Sequence, residues 1–261
     1  MTPRTSILRT LALACVPLVL ALPVAAADAE GPKRVVVADA ESDAAEKSAG
    51  PDRKDEAPAA ATAVYRPPRR GSARARIGGG TRGRSKTPHV QVLAPDHVGL
   101  TTRAQPVLGW FVSAMTDQRI DFTLTRRDGI EPVVETTLPA PTRAGVQLVA
   151  LADFDVELEA GAIYEWSIAV VVDPEERDRD VFVSGAIERD AVTPPLVADV
   201  ETMASHRAFA LHGIWYDAIA DLSQSIDSDD SRALRLERAQ LLEQVDLPGV
   251  AKFERDRVAS R

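Results

Sequence analysis

Hydrophobic and polar positions alternate through the middle of the chain and recur at helical spacing through its last quarter. From Val90 the period is two, with turn-forming residues about every 8–12 positions. Val90–Leu93 reads as a first short strand, and Val107–Val112, with Trp110 inside it, as a second. Ile120, Phe122 and Leu124 alternate with Asp121, Thr123 and Thr125, as a half-buried strand requires. Asp128-Gly129 supplies a hairpin turn, because glycine takes positive φ without a Cβ clash, and Val133–Leu138 returns. Val146–Leu151, Ile163–Val172 and Val181–Arg189 complete seven expected strands, with Asp173–Asp180 as a charged loop before the last. Tyr164, Trp166, Ile168, Val170 and Val172 share one face of the longest.

Seven short strands within residues 89–193 predict a fold that is mainly β with α, built on an immunoglobulin- or fibronectin-like β-sandwich. Leu158, Gly161, Tyr164 and Trp166 have the spacing of a tyrosine corner and are assigned structural roles. Gly161 permits the bend, and Tyr164 buries its ring while its hydroxyl finds a backbone partner. After Pro194-Pro195 the period changes. Val200, Met203, Arg207, Leu211, Ile214, Ala218 and Leu222 recur at three- and four-residue steps and predict one helix. Gln224–Asp230 reads as a polar loop whose Asp229 and Asp230 cap a second helix, Ser231–Val245, which Pro248-Gly249 ends. The expected unit for residues 194–261 is a C-terminal helical hairpin with a tail, packed on the sandwich or on a partner.

The segments ahead of the sandwich differ in kind. Arg4 and Arg9 precede the uncharged, mostly apolar run Leu11–Val24, and Ala25-Ala26-Ala27 supplies the small residues a signal peptidase accepts. The run is shorter than the roughly 20 residues a spanning helix needs. Residues 1–27 therefore predict a cleaved export signal, and a periplasmic or extracellular location, with no transmembrane span in the mature chain; an uncleaved anchor is the alternative. Residues 28–64 carry nine acids, five bases and no aromatic residue, a composition that predicts a disordered linker. Residues 65–88 form a basic Gly/Arg-rich arm. Removing the signal also removes Cys15, the only cysteine, so the mature domain must hold together without disulfides.

Several segments, in order, resemble the family called domain of unknown function 928. They are Arg70-Gly71 through Arg76-Ile77-Gly78-Gly79-Gly80-Thr81-Arg82-Gly83, Leu93-Ala94-Pro95, and Val98-Gly99-Leu100-Thr101. Leu158 through Gly161 with Tyr164 and Trp166 follow, then Asp173-Pro174, Arg177, Asp180, Phe182-Val183, Gly185, Ile187 and Arg189, and finally Gly213 through Ala218. Val171 and Val172 stand where a cysteine is common, and Ala186 where a tryptophan is common. The resemblance implies an exported protein of unassigned function, with no established chemistry to lose at those positions.

Candidate chemistry is sparse. Gly78–Ser85 looks like a phosphate loop with arginine in place of lysine, but no buried strand feeds it and Pro88 soon follows, so no nucleotide and no cofactor are expected. Arg66, Arg69, Arg70, Arg74, Arg76, Arg82, Arg84 and Lys86 are candidate contacts for an anionic polymer. The competing reading lays them on the chain's own acidic body, since residues 87–261 hold 16 bases against 30 acids. Asp173–Asp180 lacks the glycine of a calcium loop and reads as a solvated turn with internal Arg–Asp pairs. His206 and His212 are six residues apart and face different ways, so no metal site is expected; no Gly-x-Ser-x-Gly elbow occurs. Trp215, Tyr216 and Asp217 are either core residues or a candidate partner-binding patch. The expected function is an exported, non-enzymatic binding or scaffold module for another envelope protein. The alternatives are a binder of anionic glycan or membrane surface through the arginine arm, and a hydrolase acting on cell-wall or surface polymer.

Overall fold

Alternation becomes structure where one face of a strand is covered. The computed structural model describes residues 62–68, 76–78 and 87–260. The chain divides into two units, Met1–Asp55 and Glu56–Arg261, and the described residues all belong to the second. The export signal and residues 28–61 of the expected linker lie outside them.

The fold is mainly β with α. Eight strands are described: β1 (Val90–Val92), β2 (Gly99–Thr101), β3 (Val107–Val112), β4 (Arg119–Arg126), β5 (Pro132–Leu138), β6 (Gly145–Ala150), β7 (Ile163–Val171) and β8 (Val181–Arg189). They form a three-stranded sheet, β1-β3-β6, and a five-stranded sheet, β2-β8-β7-β4-β5. In β4, Ile120, Phe122 and Leu124 are fully buried while Asp121, Thr123 and Thr125 are half-buried, as the alternation requires. Their neighbours across the register are Val170, Ile168 and Trp166 of β7. Residues from both sheets and from the helices enter one buried apolar cluster.

Two details of the β region depart from expectation. Gly129 closes the β4–β5 connection by donating its N–H to the Arg126 carbonyl at 2.9 Å, so it is the fourth residue of its turn and does not use positive φ. The strand β2 was hidden in the sequence. It has three residues, too few for a period, and it runs parallel to β8 with Gly99 opposite Ile187 and Thr101 opposite Arg189.

The helical region has five helices among the described residues where two were expected: α1 (Pro194–Thr202), α2 (Ser205–Leu211), α3 (Trp215–Ser228), α4 (Arg232–Gln244) and α5 (Pro248–Ala259). The long apolar stripe is cut at Met203, which is extended, and at Gly213, whose φ is +76°. A Cβ on Gly213 would lie 2.6 Å from the Arg66 carbonyl oxygen, so glycine serves both the turn and the close approach. Pro248 opens α5 instead of closing α4. Proline fits the first turn because its fixed φ is helical and its missing N–H is not needed there. The first residue outside α4 is Ser231, whose side chain makes no cap; Asp230 pairs instead with Arg235 at 2.5 Å.

The segment before the sheets is fastened to the helices. Gln244 at the end of α4 accepts from the Tyr65 N–H at 2.8 Å and donates to the Ala63 carbonyl at 3.0 Å. The Arg66 N–H donates to the Ala210 carbonyl at 3.0 Å. Ile77 exchanges backbone hydrogen bonds with Ser184 of β8, at 3.0 and 3.1 Å. Between them Arg76 donates to the carbonyls of Ala94 (3.0 Å), Val245 (2.7 Å) and Asp246 (3.1 Å). A helix leaves its last carbonyls without partners and carries partial negative charge there, so a guanidinium over the end of α4 meets both needs. We expect Arg76→Ala to destabilise the domain by about 1–2 kcal/mol, and Arg76→Lys to recover only part, because one ammonium cannot span the fork. Equilibrium urea unfolding of the three proteins checks this.

Candidate functional site

The three residues singled out on the helices are in the core. Trp215 and Tyr216 are 0% exposed and Asp217 is 1% exposed, so they present no surface patch to a partner docking on the folded body. Each fastens α3 to a sheet. Trp215 Nε1 donates to the Leu93 carbonyl at 2.8 Å, and its ring meets Tyr65 edge-on with centroids 5.0 Å apart. Trp166 Nε1 of β7 donates to the Tyr216 hydroxyl at 2.9 Å, and that hydroxyl donates to the Ala186 carbonyl of β8 at 2.9 Å. Burial pushes the Tyr216 phenol far above its ordinary range, so it stays a donor at every relevant pH.

Asp217 collects Thr101 Oγ1 and Thr102 Oγ1 at 2.5 Å each and the Thr102 N–H at 3.0 Å. A Cβ on Gly99 would lie 2.6 Å from Tyr216 Cε2, and one on Gly185 would lie 2.6 Å from the Ala94 Cβ. Leu93, Ala94, Gly99, Thr101, Trp166, Gly185 and the Trp215–Asp217 run, scattered along the sequence, thus meet at one junction.

Of the arm residues, Arg76 is committed to the end of α4, and Arg66 is exposed with its backbone on α2. Arg69, Arg70, Arg74, Arg82, Arg84 and Lys86 are outside the described residues. Tyr164 is buried and its hydroxyl accepts from the Glu159 N–H at 3.2 Å; Gly161 has φ +75°, and Arg189 holds the Leu158 carbonyl at 3.1 Å.

The acidic loop is laced internally. Arg177 pairs with Asp180 at 2.7 Å and with Asp121 at 3.1 Å, and Arg179 with Glu176 at 2.5 Å. His206 is buried against Glu237 at 2.7 Å, and Arg207 holds the same carboxylate. Burial raises the Glu237 pKa, but hydrogen bonds from Arg207 and His206 outweigh it and hold the carboxyl below its ordinary range. His212 instead faces Asp199 at 2.7 Å. Among the described residues no His, Cys, Asp and Glu cluster could hold a metal, and no helix is long and apolar enough to cross a membrane.

The open site lies elsewhere. β5 ends the five-stranded sheet and β6 ends the three-stranded one, so each has one unpaired edge among the described residues. Between them is a cleft of about 530 Å³, within the range of ligand-binding pockets. Trp110 lies at its base, 2% exposed; Leu138, Leu148 and Phe154 line it, and Thr137, Gln147 and Asp153 supply polar groups. The connection Pro139-Ala140-Pro141-Thr142 borders it and also borders a second recess of about 570 Å³ beside Met115, which is 72% exposed. The Pro141 carbonyl accepts from the Thr116 N–H at 3.3 Å, tying the two loops together. Two prolines within three residues between strands were the sequence signal for a stiff rim.

A family model described as Domain of Unknown Function (DUF928) matches residues 77–254, which include the whole junction around Tyr216. No curated protein and no solved structure matches the chain.

Proposed function

We propose that this chain, which belongs to the Domain of Unknown Function (DUF928) family, is an exported, non-enzymatic binding module that takes an extended segment of an envelope protein into the cleft between β5 and β6. The observation that carries the reading is the pair of unpaired sheet edges flanking a mostly apolar cleft. A strand edge offers a row of free N–H and C=O groups to an incoming backbone, and apolar recesses beside it take alternate side chains. We read the two sheets as an immunoglobulin-like sandwich, with the tyrosine-corner contact of Tyr164 in support. Export rests on the charged, apolar and small-residue pattern of residues 1–27. The hydrolase alternative draws no support from the cleft. Its lining contributes one carboxylate, Asp153, where glycoside hydrolysis requires a facing pair.

Peptides selected from a random display library on the full mature chain should bind in extended form and cross-link to a photoreactive residue at Ala140. Ala140→Arg on the exposed rim should weaken them about tenfold or more at unchanged thermal stability. Binding that is indifferent to Ala140→Arg would overturn the cleft as the site. For export, N-terminal sequencing of protein from an envelope fraction should begin at Ala27 or Asp28. An intact Met1 start in the cytoplasmic fraction would overturn that half of the proposal.

A further inference from the structure

Four arginines of an otherwise acidic body converge where the start of β6 meets the helices. Arg143, Arg235, Arg238 and Arg257 line one narrow recess together with Asp227 and Glu254. Two of the guanidinia are interior: the Arg238 side chain is 4% exposed and that of Arg235 9%. They share one carboxylate. Glu254 Oε2 lies 3.0 Å from Arg235 Nη1, and Glu254 Oε1 lies 2.8 Å from Arg238 Nη2. Arg235 has a second acid, Asp230, but the other polar partner of Arg238 is neutral, Ser223 Oγ at 3.1 Å. The Arg238 Nε–H is buried and has no hydrogen-bond partner among the described residues. A buried donor in that state costs free energy, and a donor on a cation costs more.

The surroundings repeat the imbalance. The Arg257 guanidinium rests 5.9 Å from the Phe253 ring centre and makes no ion pair among the described residues. Arg143 at the rim is 62% exposed and meets Asp227 at 3.3 Å. Even with Asp230 included, four guanidinia meet three carboxylates. Burial pulls the Arg238 pKa below its ordinary value, and Glu254 offsets this only in part. Gly145 has φ +123°, and a Cβ there would lie 3.9 Å from Arg257 Nη1, which places that guanidinium beside the β6 backbone. The recess is narrow, with about 20 Å³ of internal room, and is open to solvent at its mouth.

We propose that this recess is a carboxylate-binding site, in which a single planar carboxylate enters between Arg238 and Arg257 and supplies the missing counter-charge. A carboxylate matches the flat guanidinium fork and is smaller than a tetrahedral oxyanion. The carboxylate belongs either to a small organic acid or to a polypeptide. The site does not depend on what the cleft between β5 and β6 holds.

The test is an acetate titration of the ¹⁵N-labelled full chain, read at the arginine Nε–Hε resonances. The Arg238 signal should shift saturably with acetate and not with chloride at equal ionic strength. Arg257→Gln, at a half-buried position whose fold is checked by circular dichroism, should weaken acetate about tenfold. A short peptide with a free C-terminus that binds more tightly than acetate, and loses binding on amidation, identifies a polypeptide source; acetate binding at least as tight identifies a small acid. The proposal is overturned if the shift is absent, if chloride or phosphate reproduces it, or if Arg257→Gln leaves it unchanged.

Discussion

Trp215→Ala is expected to destabilise the domain by about 3–5 kcal/mol, the range for truncating a large buried aromatic. The loss has two parts. The indole is fully buried within the main apolar cluster, so its removal leaves a cavity lined in part by the Tyr65 ring. The Leu93 carbonyl also loses the donor it holds at 2.8 Å. For a domain of this size the fall in Tm is about 6–20 °C. Trp215→Phe keeps a ring against Tyr65 but drops the hydrogen bond, and should retain most of the stability. Urea unfolding followed by near-ultraviolet circular dichroism separates the variants. A loss below about 1 kcal/mol for the alanine variant would mean that the indole is a surface group, which is the partner-anchor reading its burial argues against.

Glu254→Ala should be comparably severe, at about 3–5 kcal/mol, for an electrostatic reason. The carboxylate is 1% exposed and is the shared acid between Arg235 and Arg238. Without it Arg238 has only the Ser223 hydroxyl, in an interior where an unpaired guanidinium is strongly disfavoured. Removing the pair together, as Glu254→Leu with Arg238→Met, should recover much of the loss, because apolar replacement of a buried ion pair is often neutral or better. A double variant as unstable as the single one would show that the damage is steric. Chemical unfolding of wild type, Glu254→Leu, Arg238→Met and the double variant closes the cycle.

The strands were legible because their signal is local. Ile120, Phe122 and Leu124 announce a buried face within one strand, and Tyr164, Trp166 and Ile168 do the same for β7. What escaped depends on distant neighbours. The apolar stripe runs through Gly213 without interruption, and the break there follows from the approach of Arg66, which lies far away in sequence. Arg76 reads as one more basic residue of an arm, and only the position of α4 turns it into a cap. The cleft is lined almost wholly by residues 137–154, but β5 and β6 enter different sheets there, and no local pattern shows that each ends as a sheet edge. Trp215 and Tyr216 were recognisable as a dense aromatic pair; their bonding to Leu93 and Ala186 decides that they are interior.

The fastening of Tyr65 and Arg76 to the end of α4 also orders assembly in time. Tyr65 and Gln244 are 179 residues apart in sequence, and Arg76 and Val245 are 169 apart. A chain emerging N-terminus first has both β-sheets in hand before Ala210, Gln244 and Val245, the helical-region partners of Arg66, Tyr65 and Arg76, exist. Such distant closures slow folding, because the loop entropy is spent before the contacts repay it. The strap is therefore the last piece to settle, and until it does, the indole of Trp215 lacks the Tyr65 ring beside it and the Val245 and Asp246 carbonyls just past α4 lack the Arg76 guanidinium.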